Sequence, residues 1–219
     1  MMTDPLQDTP GYYAKRAPIY EDVYHKPHRQ ENIRWLHEML GKTFSGLDVL
    51  EVACGTGFWT QSVARGAKSI LATDINREVM ELARLKDYGQ CRIAFIQSDA
   101  FLLKEVASGY SGGLVALWWS HVPRSDLPGF LRNFHGKLKP GATVLILDNH
   151  YVEGDSSPIS RVDEEGNGFQ VRELPDGSRY EVLKNFPSES EIRQDLSEYV
   201  VDLEFLQLDY FWVVRYRVR

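Results

Sequence analysis

The chain has 219 residues, which suits one α/β domain with additions better than two average domains. Its formal net charge of -6 argues against a nucleic-acid backbone as partner, although a local basic patch can sit inside an acidic total. Cys54 and Cys91 form no CxxC or Cys/His cluster, so no metal site is expected, and no apolar run reaches the ~18 residues of a membrane span.

Residues 1–10 are polar, contain two prolines and show no basic-then-apolar signal pattern. They are expected to fray, and the whole is expected to be a soluble, cytoplasmic protein with reduced thiols. "GYYAKRAPIYEDVY" then places four tyrosines among charges. In "HRQENIRWLHEML", Ile33, Leu36 and Leu40 recur at helical spacing, and Gly41 is the expected stop.

From Leu47 the pattern alternates between strands and helices. "LDVLEVA", "SILATDI", "IAFIQSDA", "GGLVALWWS" and "KPGATVLILDN" read as strands. "TGFWTQSVARG", "REVMELARLKD" and "SDLPGFLRNFHGKL" read as the helices between them. Such alternation implies a parallel sheet with helices on both faces. After Asn149 comes a polar loop, then "FQVREL-PDG-SRYEVLKNF", two extended segments around a Pro-Asp-Gly turn, hence a hairpin. Ser188 and Glu191 have capping-box spacing at the start of a last helix. The final runs "VVDLEFLQL" and "YFWVVRYRVR" are joined by a short link and should pair antiparallel.

The chemistry centres on "VLEVACGTGFWTQSVA". Gly55 and Gly57 allow a sharp turn and a close approach of backbone to ligand at the carboxyl end of the first strand. The plain alternative is a tight strand-to-helix turn and nothing more. Asp74 ends the second strand ~19 residues after Gly55, where a carboxylate can accept both hydroxyls of a ribose. Its plain alternative is an acid at a helix N-terminus. NAD and S-adenosylmethionine sites share such an acid. Thr60 stands where a dinucleotide fingerprint wants its third glycine. Glu51, inside the first strand, needs a positive or hydrogen-bonding partner; an ammonium suits it and a pyrophosphate does not. Asp99 in "IQSDAF" can accept from an adenine amino group while Ala100 supplies a backbone N–H.

"VLEVACGTG", "LATDIN", "IQSDAF" and "LKPGATVLIL" together resemble the successive motifs of the class I S-adenosylmethionine-dependent methyltransferases, over roughly residues 45–150. The resemblance implies an α/β, Rossmann-like, mostly parallel seven-stranded sheet with a C-terminal antiparallel strand pair and helices on both faces. It divides a single domain, 1–219, into a lid and helix (1–45), a cofactor core (46–150), an insertion with a hairpin (151–187) and a C-terminal helix and strand pair (188–219). Ala53 departs from the family's usual glycine and is expected only to stiffen the turn. With Ile75 beside Asp74, it completes the cofactor set of the core.

By the same resemblance, "YYAKRAPIYEDVY" folds over the cofactor. Tyr13 and Arg16 would approach its methionine end, with Arg16 pairing the carboxylate, and Tyr20 would close the lid; the alternative is simple packing. Of Trp118 and Trp119, strand alternation points one toward the sulfonium, and Trp119 is taken as the pocket side. His121 in "WWSHVPR" follows the fourth strand near the methyl and could act as base. Asn149 and His150 could also reach the acceptor. The acceptor is expected to be a small molecule, without nucleic acid or membrane; residues 151–187 would lie over the substrate end and could also make a homodimer contact. A NAD-dependent oxidoreductase and a non-catalytic S-adenosylmethionine-binding protein are the alternatives.

Overall fold

The computed structural model describes residues 5–219, with side chains described from Thr9 onward. The expected fraying of residues 1–10 falls, for residues 1–4, outside the described residues. From Pro5 the chain is instead helical: α1 (Pro5–Arg16) packs on the later hairpin. Tyr12 joins Leu174 and Val182 in a small apolar cluster, and its ring lies 5.7 Å from that of Tyr180. This docking supplies the burial that a polar sequence does not advertise. Two 3-10 segments, Ala17–Tyr24 and Pro27–Arg29, lead to α2 (Gln30–Thr43). The expected stop at Gly41 is not one. A Cβ there would lie 3.2 Å from the Ser62 carbonyl, so glycine serves the close approach of two helices while the helix runs on.

The core then unfolds as β1 (Asp48–Val52), α3 (Thr60–Ala64), β2 (Ser69–Asp74), α4 (Arg77–Arg84), β3 (Arg92–Gln97), β4 (Tyr110–Ala116), α5 (Leu127–His135) and β5 (Leu138–Asn149). After an insertion carrying β6 (Arg161–Val162), β7 (Gly168–Glu173) and β8 (Arg179–Leu183) come α6 (Glu189–Leu196), β9 (Val200–Gln207) and β10 (Phe211–Val218). The main sheet has seven strands in the order β3-β2-β1-β4-β5-β10-β9. β1 pairs in parallel with both β2 and β4, and β10 runs antiparallel to both β5 and β9. Alternate residues of each inner strand reach opposite faces. Val144 and Ile146 of β5 join Phe130, Leu131 and Ile192 beneath α5 and α6, while Leu145 and Leu147 join Leu36, Leu40 and Val63 beneath α2 and α3. Covered on both faces, these strands are largely apolar, with Glu51 of β1 and Asp148 of β5 as buried exceptions.

The insertion forms its own three-stranded antiparallel sheet, β6-β7-β8. The hairpin is as expected; β6 is an addition to what reads as a polar loop, because two exposed residues carry no periodicity. The capping box forms, with Ser188 N–H donating to Glu191 at 2.7 Å and Glu191 N–H donating to the Ser188 hydroxyl at 3.3 Å. Chain order runs outward from β1 to β3 and then restarts at β4 on the other side. The carboxyl ends of β1 and β4 therefore bound the crevice where ligands bind in such sheets.

Candidate active site

A cavity of about 260 Å3 opens at that crevice. Four strand ends contribute to it: Ala53 and Gly55 after β1, Asp74 and Ile75 at β2, Asp99, Ala100 and Phe101 beyond β3, and Leu117 and Trp118 after β4. α1 and the segment after it close it with Tyr13 and Tyr20. Ala53 and Leu117 both hold left-handed backbone, with φ of 54° and 56°. For residues with a Cβ this is strain of the kind that gathers at functional sites, so Ala53 does more than stiffen a turn. Gly55, also left-handed, leaves room for the Tyr20 hydroxyl, which would lie 3.1 Å from an added Cβ.

Asp74 is 8% exposed. Its Oδ2 accepts the Gly55 N–H at 2.8 Å and its Oδ1 the Asn76 N–H at 2.8 Å. Burial raises its pKa, and these N–H donors oppose the rise. The carboxylate thus ties the glycine loop to β2 and faces the cavity. Asp99 lines the same wall, its Oδ1 accepting the Phe101 N–H at 2.7 Å.

One expectation needs correction, and two residues stand apart from the cavity wall. Trp119 does not face the cavity; it is buried against Trp212, rings at 90° and 6.0 Å apart. Trp118 takes the pocket place. The reason is that alternation ends with β4: the left-handed Leu117 turns the chain, and Trp119 already opens a 3-10 turn through His121. Gly57 lines no cavity; its left-handed φ of 78° makes the expected turn, and a side chain there would also collide with Tyr88 and Ala83. Glu51, 1% exposed, lies inside β1 and outside both cavity walls. Burial, with Asp74 adding to it and Thr60 opposing, pushes its carboxyl up to about 8, and Oε2 has no hydrogen-bond partner.

A second cavity, of about 360 Å3, adjoins the first and shares Tyr13, Tyr20, Leu117 and His121 with it. At this neck His121 Nδ1 meets the Leu183 carbonyl at 2.7 Å and Nε2 meets the Tyr13 hydroxyl at 2.8 Å. A carbonyl only accepts, so Nδ1 carries the hydrogen and Nε2 accepts from Tyr13. Burial, then Lys184, pushes the ring down to about 3, against Asp148, so the imidazole is neutral over the ordinary pH range. Burial pushes Tyr13 up to about 12, so its hydroxyl remains a donor.

Lys184 and Asp148, absent from the sequence reading of the site, brace this neck. Their side chains are 6% and 0% exposed and meet at 3.1 Å. Lys184 also donates to the Ser120 hydroxyl at 2.5 Å, and Asp148 accepts the Ser120 N–H at 2.9 Å. The pair ties β5 and β8 to the loop that carries His121. Arg16 lines the second cavity, its guanidinium over the rings of Tyr12 and Tyr20 at 5.8 and 5.7 Å. Asn149 lines it as well; His150 does not, its Nε2 facing the Leu208 carbonyl at 2.9 Å. Among the described residues no acid, histidine or cysteine cluster could hold a metal ion, and no helix is long and apolar enough to cross a membrane.

Residues 49–141 match a family model described as a methyltransferase domain. The chain is 26% identical over 162 residues to a 2-phytyl-1,4-naphtoquinone methyltransferase of Nostoc punctiforme, which covers 68% of this chain and 66% of that protein. It is 26% identical over 148 residues to a demethylmenaquinone methyltransferase of Staphylococcus saprophyticus, covering 66% of this chain and 60% of that one. It therefore spans somewhat less than two thirds of these relatives. A solved structure, the DhpI-SAM-HEP complex, shares the fold with a TM-score of 0.79 at 24% identity, over 99% of this chain and 100% of the other. Residues 49–141 thus match a methyltransferase domain, and the strand order and the crevice at its switch point are those of the fold shared with the S-adenosylmethionine complex.

Proposed function

We propose that this protein transfers the methyl group of S-adenosylmethionine to a small-molecule acceptor, with the cofactor in the first cavity and the acceptor in the second. The observation that carries this is the convergence of Ala53, Gly55, Asp74, Ile75, Asp99 and Ala100 on one cavity that meets a second at a neck formed by Tyr13, Tyr20, Leu117 and His121. The residues fit the group. Trp118 lines the first cavity and its buried Nε1 has no partner, and buried polar atoms normally have one.

When bound, S-adenosylmethionine supplies a methyl carbon on a sulfonium that departs as a neutral thioether. Asp74 accepts the ribose hydroxyls. Asp99 and the Ala100 N–H face the adenine, and Ile75, 43% exposed at the rim, covers it. Arg16 and Tyr20 would hold the methionine end, and Glu51, behind the glycine loop, would reach its amino group through water. Residues 13–24 act as a lid. His121, its Nδ1–H held by the Leu183 carbonyl, accepts from the Tyr13 hydroxyl at Nε2 and so positions that tyrosine at the neck, beside the acceptor. Its depressed pKa makes it a weak proton acceptor, so its main effect is alignment. Cytoplasmic location, and a homodimer contact through residues 151–187, belong to this reading; sedimentation velocity checks the second. The curated relatives are named for quinones, so an acceptor screen should include naphthohydroquinones.

Calorimetric titration with S-adenosylmethionine, S-adenosylhomocysteine and NAD tests the proposal. The first two are expected to bind one to one. Binding of NAD alone would overturn it, and cofactor binding without methyl transfer to any of a broad acceptor panel would favour a binding protein.

A further inference from the structure

We propose that the second cavity binds an oxyanion, carboxylate or phosphoryl, carried by the methyl acceptor, and that Arg172 is its principal ligand. This rests on the reading that the second cavity holds the acceptor.

The first support is charge. Arg16, Lys26, Arg29, Arg172 and Lys184 line the cavity, against Asp22 and Asp155. With Asp148 behind Lys184 counted as well, cations outnumber carboxylates, in a chain whose formal net charge is -6. The excess is therefore local to this wall and not a property of the whole surface.

The second support is how these cations are partnered. Lys184 is matched by Asp148. Lys26 and Arg29 share a single carboxylate, Asp155, which also meets His28 at 2.9 Å. Against the upward push of burial, these hydrogen bonds hold Asp155 well below the usual carboxylate range. Arg172 is different. Its Nη1 donates to the Ser157 hydroxyl at 2.8 Å and its Nη2 to the Gln170 side-chain amide oxygen Oε1 at 2.6 Å, both neutral groups. Among the described residues it forms no ion pair. A part-buried guanidinium held in plane by two neutral acceptors keeps Nε–H and its remaining hydrogens for a ligand, and its planar fork suits an oxyanion.

The third support separates this site from the cofactor. Arg16 lies over Tyr20, which lines both cavities, so it can serve the methionine carboxylate. Arg172 comes from β7 of the insertion and lines the second cavity alone. The insertion thereby acquires a role: it brings an uncompensated cation over the acceptor. An apolar quinone ring there would strip water from that cation and return nothing, so the wall favours an anionic acceptor over the quinones for which the curated relatives are named.

The site is also coupled to the neck. Lys184 and Arg172 both push the His121 ring toward its neutral form, and a bound anion would offset them. The test is calorimetric titration of the full chain, saturated with S-adenosylhomocysteine, with inorganic phosphate, acetate and neutral acetamide. Phosphate or acetate, but not acetamide, is expected to bind; the tighter of the two identifies the acid. Arg172→Gln should weaken binding at least tenfold and leave S-adenosylhomocysteine affinity unchanged, with partial recovery in Arg172→Lys. In NMR titrations the His121 ring should titrate at higher pH with the anion bound, and not in R172Q. No anion binding, or equal binding in wild type and R172Q, overturns the proposal. Should S-adenosylhomocysteine itself not bind, the cofactor reading falls, while the same phosphate and acetate titrations of the ligand-free chain still decide the anion site.

Discussion

Asp74→Ala is the substitution with the most direct consequence for the cofactor site. The carboxylate has two duties. It accepts the Gly55 and Asn76 N–H groups, each at 2.8 Å, and it lines the first cavity where a ribose would lie. Hydrogen bonds to a charged partner contribute about 1.5–3 kcal/mol. Loss of one net bond of that kind weakens S-adenosylhomocysteine binding by about 10- to 150-fold. The substitution also leaves the buried Gly55 N–H without an acceptor, which costs about 1–3 kcal/mol of stability. At roughly 2–4 °C per kcal/mol for a chain of this size, the melting temperature should fall measurably while the fold persists. Calorimetric titration with S-adenosylhomocysteine, beside a thermal melt of the ligand-free variant, reads both effects. A variant that melts lower yet binds as tightly as wild type would refute the ribose assignment and leave Asp74 a loop tether only.

Other expectations follow from the neck and the strand below it. His121→Ala is expected to lower turnover about 10-fold or more by losing alignment at the neck while leaving cofactor affinity within error; full activity from pH 6 to 9 would remove His121 from the mechanism. Because His121 titrates near 6.5 when unfolded and near 3 when folded, the unfolded chain holds the extra proton between those values, and stability falls as pH drops through that window. Urea unfolding at pH 7 and pH 5 should show a loss that is smaller in His121→Gln, and an equal loss would contradict the burial argument. Glu51, at about 8, is largely protonated at pH 7 in the free enzyme, so a cofactor ammonium should displace its proton. Calorimetry in two buffers of different ionisation enthalpy should show proton release that disappears in Glu51→Gln. Lys184→Met strands Asp148 as a buried charge and should destabilise the fold by about 3–5 kcal/mol; pairing it with Asp148→Asn should recover part of that loss in urea unfolding.

The cofactor half of the site was legible because it is local. Gly55, Asp74 and Asp99 each stand at or just beyond the end of an apolar strand, so a strand-by-strand reading places them at one edge of the sheet. What failed did so for physical reasons. Trp119 was assigned by extending alternation past Ala116, but a left-handed Leu117 resets the direction of the next side chain. Gly41 carries glycine for helix packing, which spacing cannot distinguish from a helix stop. The acceptor half was legible only in outline: His121, Asn149 and the insertion were expected there, but most of its charged residues were not. Lys26 with Arg29, Asp148, Arg172 and Lys184 come from four places in the chain, and no local pattern links them. Only the docking of α1 and the hairpin over the sheet brings them together. The one available signal was chemical: Lys184 ends the otherwise apolar "VLK" of a strand, and a lysine there must find a carboxylate.

The most direct test of the two-cavity arrangement is a crystal structure of the protein with S-adenosylhomocysteine. Adenine is expected beside Ile75 and Ala100, the ribose hydroxyls on Asp74, and the thioether sulfur directed at the neck between Tyr13 and His121. A ribose away from Asp74, or a sulfur directed away from that neck, would contradict the assignment of the first cavity to the cofactor and of the second to the methyl acceptor.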